Sequence, residues 1–282
     1  MVTVEAARAS GSAASGELVV EHLSIELGGR RVVDDVSFTL SPGDRLGLIG
    51  ESGSGKSLTA LAILGLLPEQ ATATGSIRLD GVDLLVQDDF ELAGIRGRRI
   101  GMVFQEPQTA LNPLLPVGRQ ISEPIRAHFR VSRREANDRA IELAARVKLP
   151  DPERIVRSYP HQLSGGQRQR VAIAAALSTS PAILIADEPT TALDVTIQSE
   201  ILGLFERLVD ETGASLLFIT HDLAVLSRIS THAVVLAGGR VVERGSVVDL
   251  VHDPSHTVTR QLIRAARATS WTPRATPSGA ER

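Results

Sequence analysis

Residues Gly50-Glu51-Ser52-Gly53-Ser54-Gly55-Lys56-Ser57 form a glycine-rich segment between two apolar stretches. Residues 46–49 before it have the pattern of a strand, and residues 58–64 after it have the pattern of a helix. This is the context that a phosphate-binding P-loop requires. Its glycines let several backbone N–H groups point inward, and the following helix adds the positive end of its dipole. The alternative is an ordinary strand-to-helix turn, but all eight positions and both flanks fit a P-loop.

Two side chains of this segment carry the chemistry that a P-loop performs. We expect the ammonium group of Lys56 to reach the β- and γ-phosphates of a nucleotide, and the hydroxyl of Ser57 to bind Mg²⁺. The segment therefore predicts nucleotide binding.

The composition excludes several other classes of protein. The chain has 282 residues, enough for a large domain with an inserted subdomain, and a formal net charge of -3, so no nucleic-acid partner is expected. It contains no cysteine, which excludes disulfides and thiolate metal sites. Its apolar runs are strand-sized and fall short of the ~18 residues that span a bilayer. Residues 1–16 lack the apolar core of a signal peptide, so we expect a disordered N-terminus on a cytoplasmic protein.

Strand and helix patterns alternate along the chain, which predicts an α/β fold with a mostly parallel sheet covered on both faces. The predicted strands are residues 18–27, 36–40, 46–49, 76–79, 100–104, 182–186, 215–220, 233–236 and 240–243. Residues 106–171 differ, because prolines punctuate helical segments such as 133–147, and we expect an inserted helical subdomain there. Further helices are expected at residues 194–211, from 222, and at 259–268. The domain is thus predicted to span residues 17–268, before a disordered tail at 269–282.

Asp187 and Glu188 close a predicted strand of four to five apolar residues, which suits a strand buried on both faces. Ligands of α/β sheets lie beyond the carboxyl ends of the strands. Two acids at a strand end are, by themselves, typical of surface capping. With a P-loop upstream, Asp187 instead fits a Mg²⁺ ligand, and Glu188 fits a residue that orients or deprotonates the attacking water.

A third motif, Leu163-Ser164-Gly165-Gly166-Gln167, begins a predicted helix. Ser164 can cap that helix, and the two glycines leave backbone N–H groups open to an anion. Considered by itself, this motif predicts only the capped start of a helix. However, the order and spacing of this motif, residues 50–57, Asp187-Glu188 and His221 resemble the nucleotide-binding subunit of ATP-binding-cassette (ABC) transporters, from about residue 18 to residue 268.

The resemblance implies an ATPase with a RecA-like P-loop core, an antiparallel β subdomain and an inserted α-helical subdomain. In that family two cassettes pack head to tail, and each ATP lies between the P-loop of one subunit and the signature segment of the other. Ser164, Gly165 and Gly166 are thus expected to contact the γ-phosphate of the partner's ATP. The resemblance assigns nucleotide binding to Gly50, Glu51, Ser52, Gly53, Ser54, Gly55, Lys56, Ser57, Leu58, Ser164, Gly165, Gly166 and Gln167.

Three further matches concern catalysis. Gln105 follows the predicted strand and matches the family's Q-loop, which senses Mg²⁺ and the γ-phosphate and links them to the membrane subunit. Residues 191–194 resemble the D-loop, which crosses the dimer interface. His221 matches the switch histidine that contacts the γ-phosphate. The catalytic residues implied are therefore Glu188, His221 and Gln105, and the Mg²⁺ ligands implied are Ser57, Gln105 and Asp187.

One position departs from the family pattern. The family often stacks an aromatic side chain of the first hairpin on adenine, and the register here puts Leu27 at that place. We therefore expect weaker stacking, with apolar contact from Leu27 or Val33 instead.

Two segments point to a branch of the family. Residues 105–113 with 117–121, and residues 253–262, are similar to the branch that imports dipeptides, oligopeptides and nickel. That resemblance implies two transmembrane permease subunits, a second cassette, identical or homologous, and indirectly an extracytoplasmic substrate-binding protein. It also implies a location on the cytoplasmic face of the membrane. None of these residues touches cargo, so peptide, nickel and metal-chelate uptake all stay open.

An ABC-type ATPase of another transport branch, and ABC ATPases that do not take part in transport, remain as alternatives. A DNA-repair or chromosome-structure ATPase would insert a very long coiled coil between P-loop and signature segment, but only 164 − 56 = 108 positions separate Lys56 from Ser164. A ribosome-associated factor needs two cassettes, and this chain has one P-loop. The basic residues 96–99 are expected to be a solvated face or a subunit contact.

Overall fold

The computed structural model describes residues 16–106, 110–191 and 193–269, which form ten strands and ten α-helices. The strands are β1 (Leu18–Leu27), β2 (Arg30–Leu40), β3 (Arg45–Gly50), β4 (Ala71–Leu79), β5 (Val82–Asp83), β6 (Ile100–Val103), β7 (Ile183–Asp187), β8 (Ser215–Thr220), β9 (His232–Ala237) and β10 (Arg240–Ser246). The helices are α1 (Lys56–Ile63), α2 (Asp89–Ile95), α3 (Val117–His128), α4 (Arg133–Arg146), α5 (Pro152–Ile155), α6 (Gly165–Ala176), α7 (Val195–Thr212), α8 (Leu223–Ile229), α9 (Val247–His252) and α10 (Thr257–Thr269).

The central sheet has six strands in the order β10-β9-β3-β8-β7-β6. Its neighbours pair in parallel, except that β10 runs antiparallel to β9. Every residue of β7 and β8 is buried. Helices cover both faces of such a sheet, so its inner strands need apolar side chains on both sides, and this explains their unbroken apolar sequences.

A second sheet is antiparallel, with the order β2-β1-β4-β5. Its first hairpin turns at Gly28 and Gly29, whose φ angles of +58° and +76° lie in the left-handed region that favours glycine. Along β1 the buried positions alternate and then slip by one residue at His22, where the φ angle is +52°. This irregularity keeps the apolar side chains after it on the buried face.

Helices α3 to α6 form the block inserted between the strands β6 and β7. Alanines 136, 140 and 144, spaced one turn apart, are the buried face of α4, and their small side chains allow close packing. Ser132 and Glu135 form a capping box that starts this helix. Pro124 lies inside α3 and does not end it, because Ile121 and Ile125 on either side are fully buried and hold the helix in place.

Some elements lie outside the sequence prediction. Strands β2 and β4 begin earlier than expected, because their first halves are largely exposed and lack an apolar alternation. Helix α2 was not expected, although the capping box of Asp88 and Glu91 marks its start. Helix α9 is short and was also missed.

The predicted ends of the domain fall near the limits of the described residues. Helix α10 ends at Thr269, the first residue of the predicted tail. Residues 1–15 and 270–282, which carry the rest of the two predicted disordered ends, lie outside the described residues. Within the described ranges, the helices are too short or too polar to cross a membrane.

The packing of α7 against β8 gives a test of the core. Phe205 and Phe218 are both fully buried, and their rings meet edge to face with centroids 6.0 Å apart. We expect Phe205→Ala to lower the free energy of unfolding by about 3–5 kcal/mol, because it removes apolar area and leaves a cavity. Urea unfolding followed by circular dichroism measures this. Phe90→Ala, at an 87% exposed position, is the control, and a loss below about 1 kcal/mol for Phe205→Ala would contradict the packing described.

Candidate functional site

The parallel register of the central sheet brings four chain segments to one edge. Ile49 of β3 lies beside Thr220 of β8, and Asp187 of β7 lies beside Ile219 of β8. Val103 of β6 lies beside Ala186 of β7. The ends of β3, β6, β7 and β8 therefore lie close to one level, and the residues that follow each strand emerge together. The carboxyl edge of a parallel sheet is where α/β proteins bind their ligands.

The glycine-rich loop between β3 and α1 depends on glycine at two positions. A Cβ atom on Gly50 would lie 2.2 Å from the carbonyl oxygen of Leu236, so only glycine lets β3 pass this close to β9. Gly55 has a φ angle of +97°, and a Cβ atom there would lie 2.7 Å from a methyl group of Val33. The loop therefore has the tight backbone curve on which a phosphate cradle depends.

Lys56 begins α1 and turns back into the loop. Its ammonium group donates hydrogen bonds to the carbonyl oxygens of Gly50 and Glu51, both at 2.9 Å, and the residue is only 4% exposed. Burial lowers the pKa of Lys56, while the charges of Glu188 and Asp187 act to raise it. The positive charge is thus held inside the loop beside two carboxylates.

Ser57 and Asp187 lie side by side across the site. The Ser57 hydroxyl donates to a carboxylate oxygen of Asp187 at 3.1 Å, which links the first turn of α1 to the end of β7. Burial raises the pKa of Asp187, whereas the hydrogen bond from Ser57 lowers it. Two oxygen atoms of the hard kind that Mg²⁺ prefers therefore lie next to each other.

Glu188 follows β7 with a φ angle of +42°, a conformation that non-glycine residues seldom adopt. Its Oε2 atom lies 3.3 Å from the Gln105 amide nitrogen and 3.2 Å from Nδ1 of His221. The structure thus brings together the three side chains that the resemblance assigns to catalysis. The roles of these three side chains in catalysis stay predictions.

A cavity of about 690 Å³ opens over these residues. Its volume is within the ordinary range for a small-molecule site. It is lined by Val32, Glu51, Ser52, Gly53, Gly55, Lys56, Ser57, Leu58, Gln105, Glu188, His221, Gln261, Leu262 and Ala265.

Sequence reasoning missed the wall that α10 contributes through Gln261, Leu262 and Ala265. These residues lie about 200 positions from the P-loop, and no local pattern joins them to it. Residues 253–262 served only to indicate a branch of the family. The structure adds a second role, because the same segment ends in side chains that face the nucleotide cavity.

Glu243 on β10 anchors the start of α10. Its carboxylate accepts hydrogen bonds from the backbone N–H groups of Ser255, at 2.6 Å, and His256, at 3.1 Å, and from the hydroxyls of Ser255 and Thr259. Burial acts to raise the pKa of Glu243, but the hydrogen bonds outweigh it and lower the pKa to about 2. This one side chain fixes where α10 meets the cavity.

The predicted adenine contacts stay a prediction, and the structure places the side chains concerned in different surroundings. Val32 lines the cavity, whereas Val33 is fully buried in the core, and Leu27 is not among the lining residues. The one feature of the sequence that could have indicated Val32 is its position directly before Val33, which is expected to contact adenine.

The signature motif lies apart from this cavity. Ser164 caps α6 by accepting from the N–H of Gln167 at 3.3 Å, and the Gln167 side chain accepts from the N–H of Ser164 at 2.9 Å. A Cβ atom on Gly166 would lie 3.0 Å from a methyl group of Ile197, so α7 approaches the motif closely. Residues 164–167, all described, do not line the P-loop cavity.

Comparisons with known proteins agree with this geometry. A family model described as ABC transporter matches residues 33–191. A probable peptide ABC transporter ATP-binding protein of Sinorhizobium fredii is 48% identical over 237 residues, which cover 83% of this chain and 71% of that protein. A Brucella melitensis protein, named as a candidate peptide import ATP-binding protein, is 50% identical over 240 residues, with the same coverage. The ATP-binding cassette MJ0796, solved as a dimer in a post-hydrolysis state with ADP and Pi, superposes with a TM-score of 0.73 at 32% identity, over 82% of this chain and 98% of that chain.

The P-loop, the paired acids and the parallel sheet define a P-loop ATPase of the α/β class. The predicted fold class and the prediction of ATP binding and hydrolysis are confirmed. The chain belongs to the ABC transporter family, in which it is an ATP-binding cassette.

The anchor of α10 can be tested by its dependence on pH. Glu243→Gln replaces a carboxylate that accepts four hydrogen bonds, and we expect it to lower the free energy of unfolding at pH 7 by about 1–3 kcal/mol. The folded pKa of about 2 lies below the ordinary 4.5, so the carboxylate stabilises the fold fully above about pH 4.5 and loses this effect as the pH falls towards 2. The difference between wild type and variant should shrink over that window in urea titrations. Glu21→Gln, which removes only an exposed pair with Arg78, is the control, and a difference that stays constant with pH would refute the anchor.

Proposed function

We propose that this cassette hydrolyses ATP in the cavity over the P-loop and so energises an ABC importer of peptides. The observation that supports it most is the convergence of Lys56, the Ser57–Asp187 pair and Glu188 at one edge of the sheet. The relatives from Sinorhizobium and Brucella carry peptide names, which favours peptides over nickel as cargo.

The triphosphate would lie along the P-loop, where backbone N–H groups and the dipole of α1 favour negative charge. Lys56 would exchange its two carbonyl acceptors for the β- and γ-phosphates, because a charged oxygen is the stronger acceptor. The base would extend towards Val32, whose side chain gives an apolar contact in place of a stacked ring.

Ser57 and Asp187 would hold Mg²⁺, with Gln105 as a further oxygen ligand. The donor set fits, because one hydroxyl and one carboxylate already lie 3.1 Å apart and Mg²⁺ takes few protein ligands beside phosphate oxygens. When bound, Mg²⁺ neutralises charge on the β- and γ-phosphates. The buried position of Asp187 keeps this ligand free of competing water.

Glu188 would hold the attacking water and take its proton, while His221 contacts the γ-phosphate. The water oxygen forms a bond to the γ-phosphorus, the bond to the β,γ-bridging oxygen breaks, and ADP leaves with that oxygen. A carboxylate that can orient and deprotonate water at this place supplies general-base assistance. The left-handed backbone of Glu188 aims its side chain across the cavity towards the neighbouring strand ends.

A second cassette, identical or homologous, would complete the site. Ser164, Gly165, Gly166 and Gln167 begin α6 away from this chain's own P-loop cavity, so the N–H groups of Gly165 and Gly166 would meet an anion held by a different neighbour. MJ0796, which this chain resembles in fold, is dimeric in its solved structures. The further partners are two transmembrane permease subunits, on the cytoplasmic face of the membrane, and indirectly an extracytoplasmic substrate-binding protein.

Glu188→Gln tests the chemical step. We expect ATP to bind with unchanged affinity, hydrolysis to fall about 100-fold or more, and sizing with ATP and Mg²⁺ to reveal a trapped dimer, because the variant keeps the shape of the side chain and loses its basicity. Affinity is measured with a fluorescent ATP analogue, and hydrolysis by phosphate release.

Phe90→Ala, at an exposed position, is the matched control for expression and handling. Hydrolysis at the wild-type rate in Glu188→Gln would remove Glu188 from the mechanism. Absence of ATP binding in every protein, including wild type, would remove the P-loop assignment itself.

The cargo is tested by uptake in cells that lack this chain. Wild type should restore uptake of labelled di- and oligopeptides, and Glu188→Gln should not, because closure without hydrolysis stalls the permease. Restored uptake of radioactive nickel, with peptide uptake unaffected, would contradict peptide import and favour the metal alternative.

A further inference from the structure

The carboxylate of Glu188 has a third contact, besides those with the predicted catalytic side chains of Gln105 and His221. The hydroxyl of Thr191 donates to Oε2 of Glu188 at 2.9 Å, which is shorter than the contacts of Gln105, at 3.3 Å, and His221, at 3.2 Å. Within the described residues, all three of these groups approach the same oxygen. The three contacts at Oε2 therefore orient the Glu188 carboxylate. Its other oxygen, Oε1, is left to contact other groups.

Thr191 differs from the other two in how it is attached. It is three residues after Glu188 in one turn, and its N–H also donates to the Glu188 carbonyl oxygen at 3.4 Å. Gln105 and His221 follow separate strands, so their distances from Glu188 change whenever those segments move. The Thr191 hydroxyl moves with the carboxylate that it holds.

The proposed function gives Gln105 and His221 other work. Once nucleotide is bound, Gln105 is expected on Mg²⁺ and His221 on the γ-phosphate, so both would leave Oε2 in the step where Glu188 must be aligned. Thr191 has no such second acceptor in that scheme. It is the donor that can keep Glu188 in place while the water attacks the γ-phosphorus.

We propose that Thr191 is a positioning residue for hydrolysis, which holds Oε2 of Glu188 so that Oε1 meets the attacking water. The inference rests on the proposed function of Glu188 and adds a residue to it.

Thr191→Val is the test, because valine has the same shape and no hydroxyl. We expect kcat for ATP hydrolysis to fall about tenfold or more with KM and ATP affinity unchanged, since alignment matters in the transition state and not in binding. Thr191→Ser, which restores a donor, should recover most of kcat. Thr190→Val is the matched control, because the Thr190 hydroxyl contacts Gln198 and not Glu188.

Two further measurements separate positioning from a structural role. In the Glu188→Gln background, Thr191→Val should change residual hydrolysis by less than about twofold, because the two residues act as a unit. The ATP-induced dimer of Glu188→Gln should persist when Thr191→Val is added. Unchanged kcat in Thr191→Val, loss of the dimer, or failure of serine to rescue would each overturn the proposal. Absence of hydrolysis in the wild-type protein would overturn the proposed function instead. The two failures are distinguishable, because this one is measured on the protein without any substitution.

Discussion

The parallel pairing of β3, β8, β7 and β6 is the constraint on which the site depends. Because parallel neighbours end level, the loops after these strands emerge at one edge without further adjustment. A slip of two residues in one pair would move Asp187 by about 7 Å, beyond the reach of the Ser57 hydroxyl. The fully buried sequences of β7 and β8 fix the register, since every displaced residue would have to find a new apolar pocket.

This edge concentrates charge in a partly buried place. Lys56 is held between carbonyl oxygens, with Asp187 and Glu188 close enough to influence its pKa. Burial disfavours the charges of Lys56 and Asp187, as the lowered pKa of Lys56 and the raised pKa of Asp187 indicate. Bound triphosphate would supply negative charge beside Lys56, and a divalent cation would supply positive charge beside the carboxylates of Asp187 and Glu188. The site is therefore organised around a ligand that carries both signs of charge.

Most of the residues that meet at this edge could be predicted to lie together, because they belong to short motifs with a local physical reason. Gly55 needs its left-handed backbone, and Asp187 needs an apolar strand before it. The wall formed by α10 could not be predicted, since Gln261 reaches the cavity only through the tertiary anchor at Glu243. Nor does the sequence distinguish Val32 from Val33, because the irregular pairing of β1 with β2 settles which of them is buried.

The signature motif lies apart from the P-loop cavity, and this separation bears on how ATP hydrolysis is controlled. Ser164 accepts from the Gln167 N–H, yet its own hydrogen can still be donated, and the first N–H groups of α6 have no partner within the helix. In the proposed function, these groups would together form half of an anion site. The cavity at the P-loop would form the other half, with Lys56, the Ser57–Asp187 pair and Glu188. In the proposed function, one chain holds the two halves apart, so neither half would enclose a γ-phosphate alone, and hydrolysis would depend on the approach of a second cassette. A transporter needs that condition, since ATP consumed by an unpaired subunit would move no cargo.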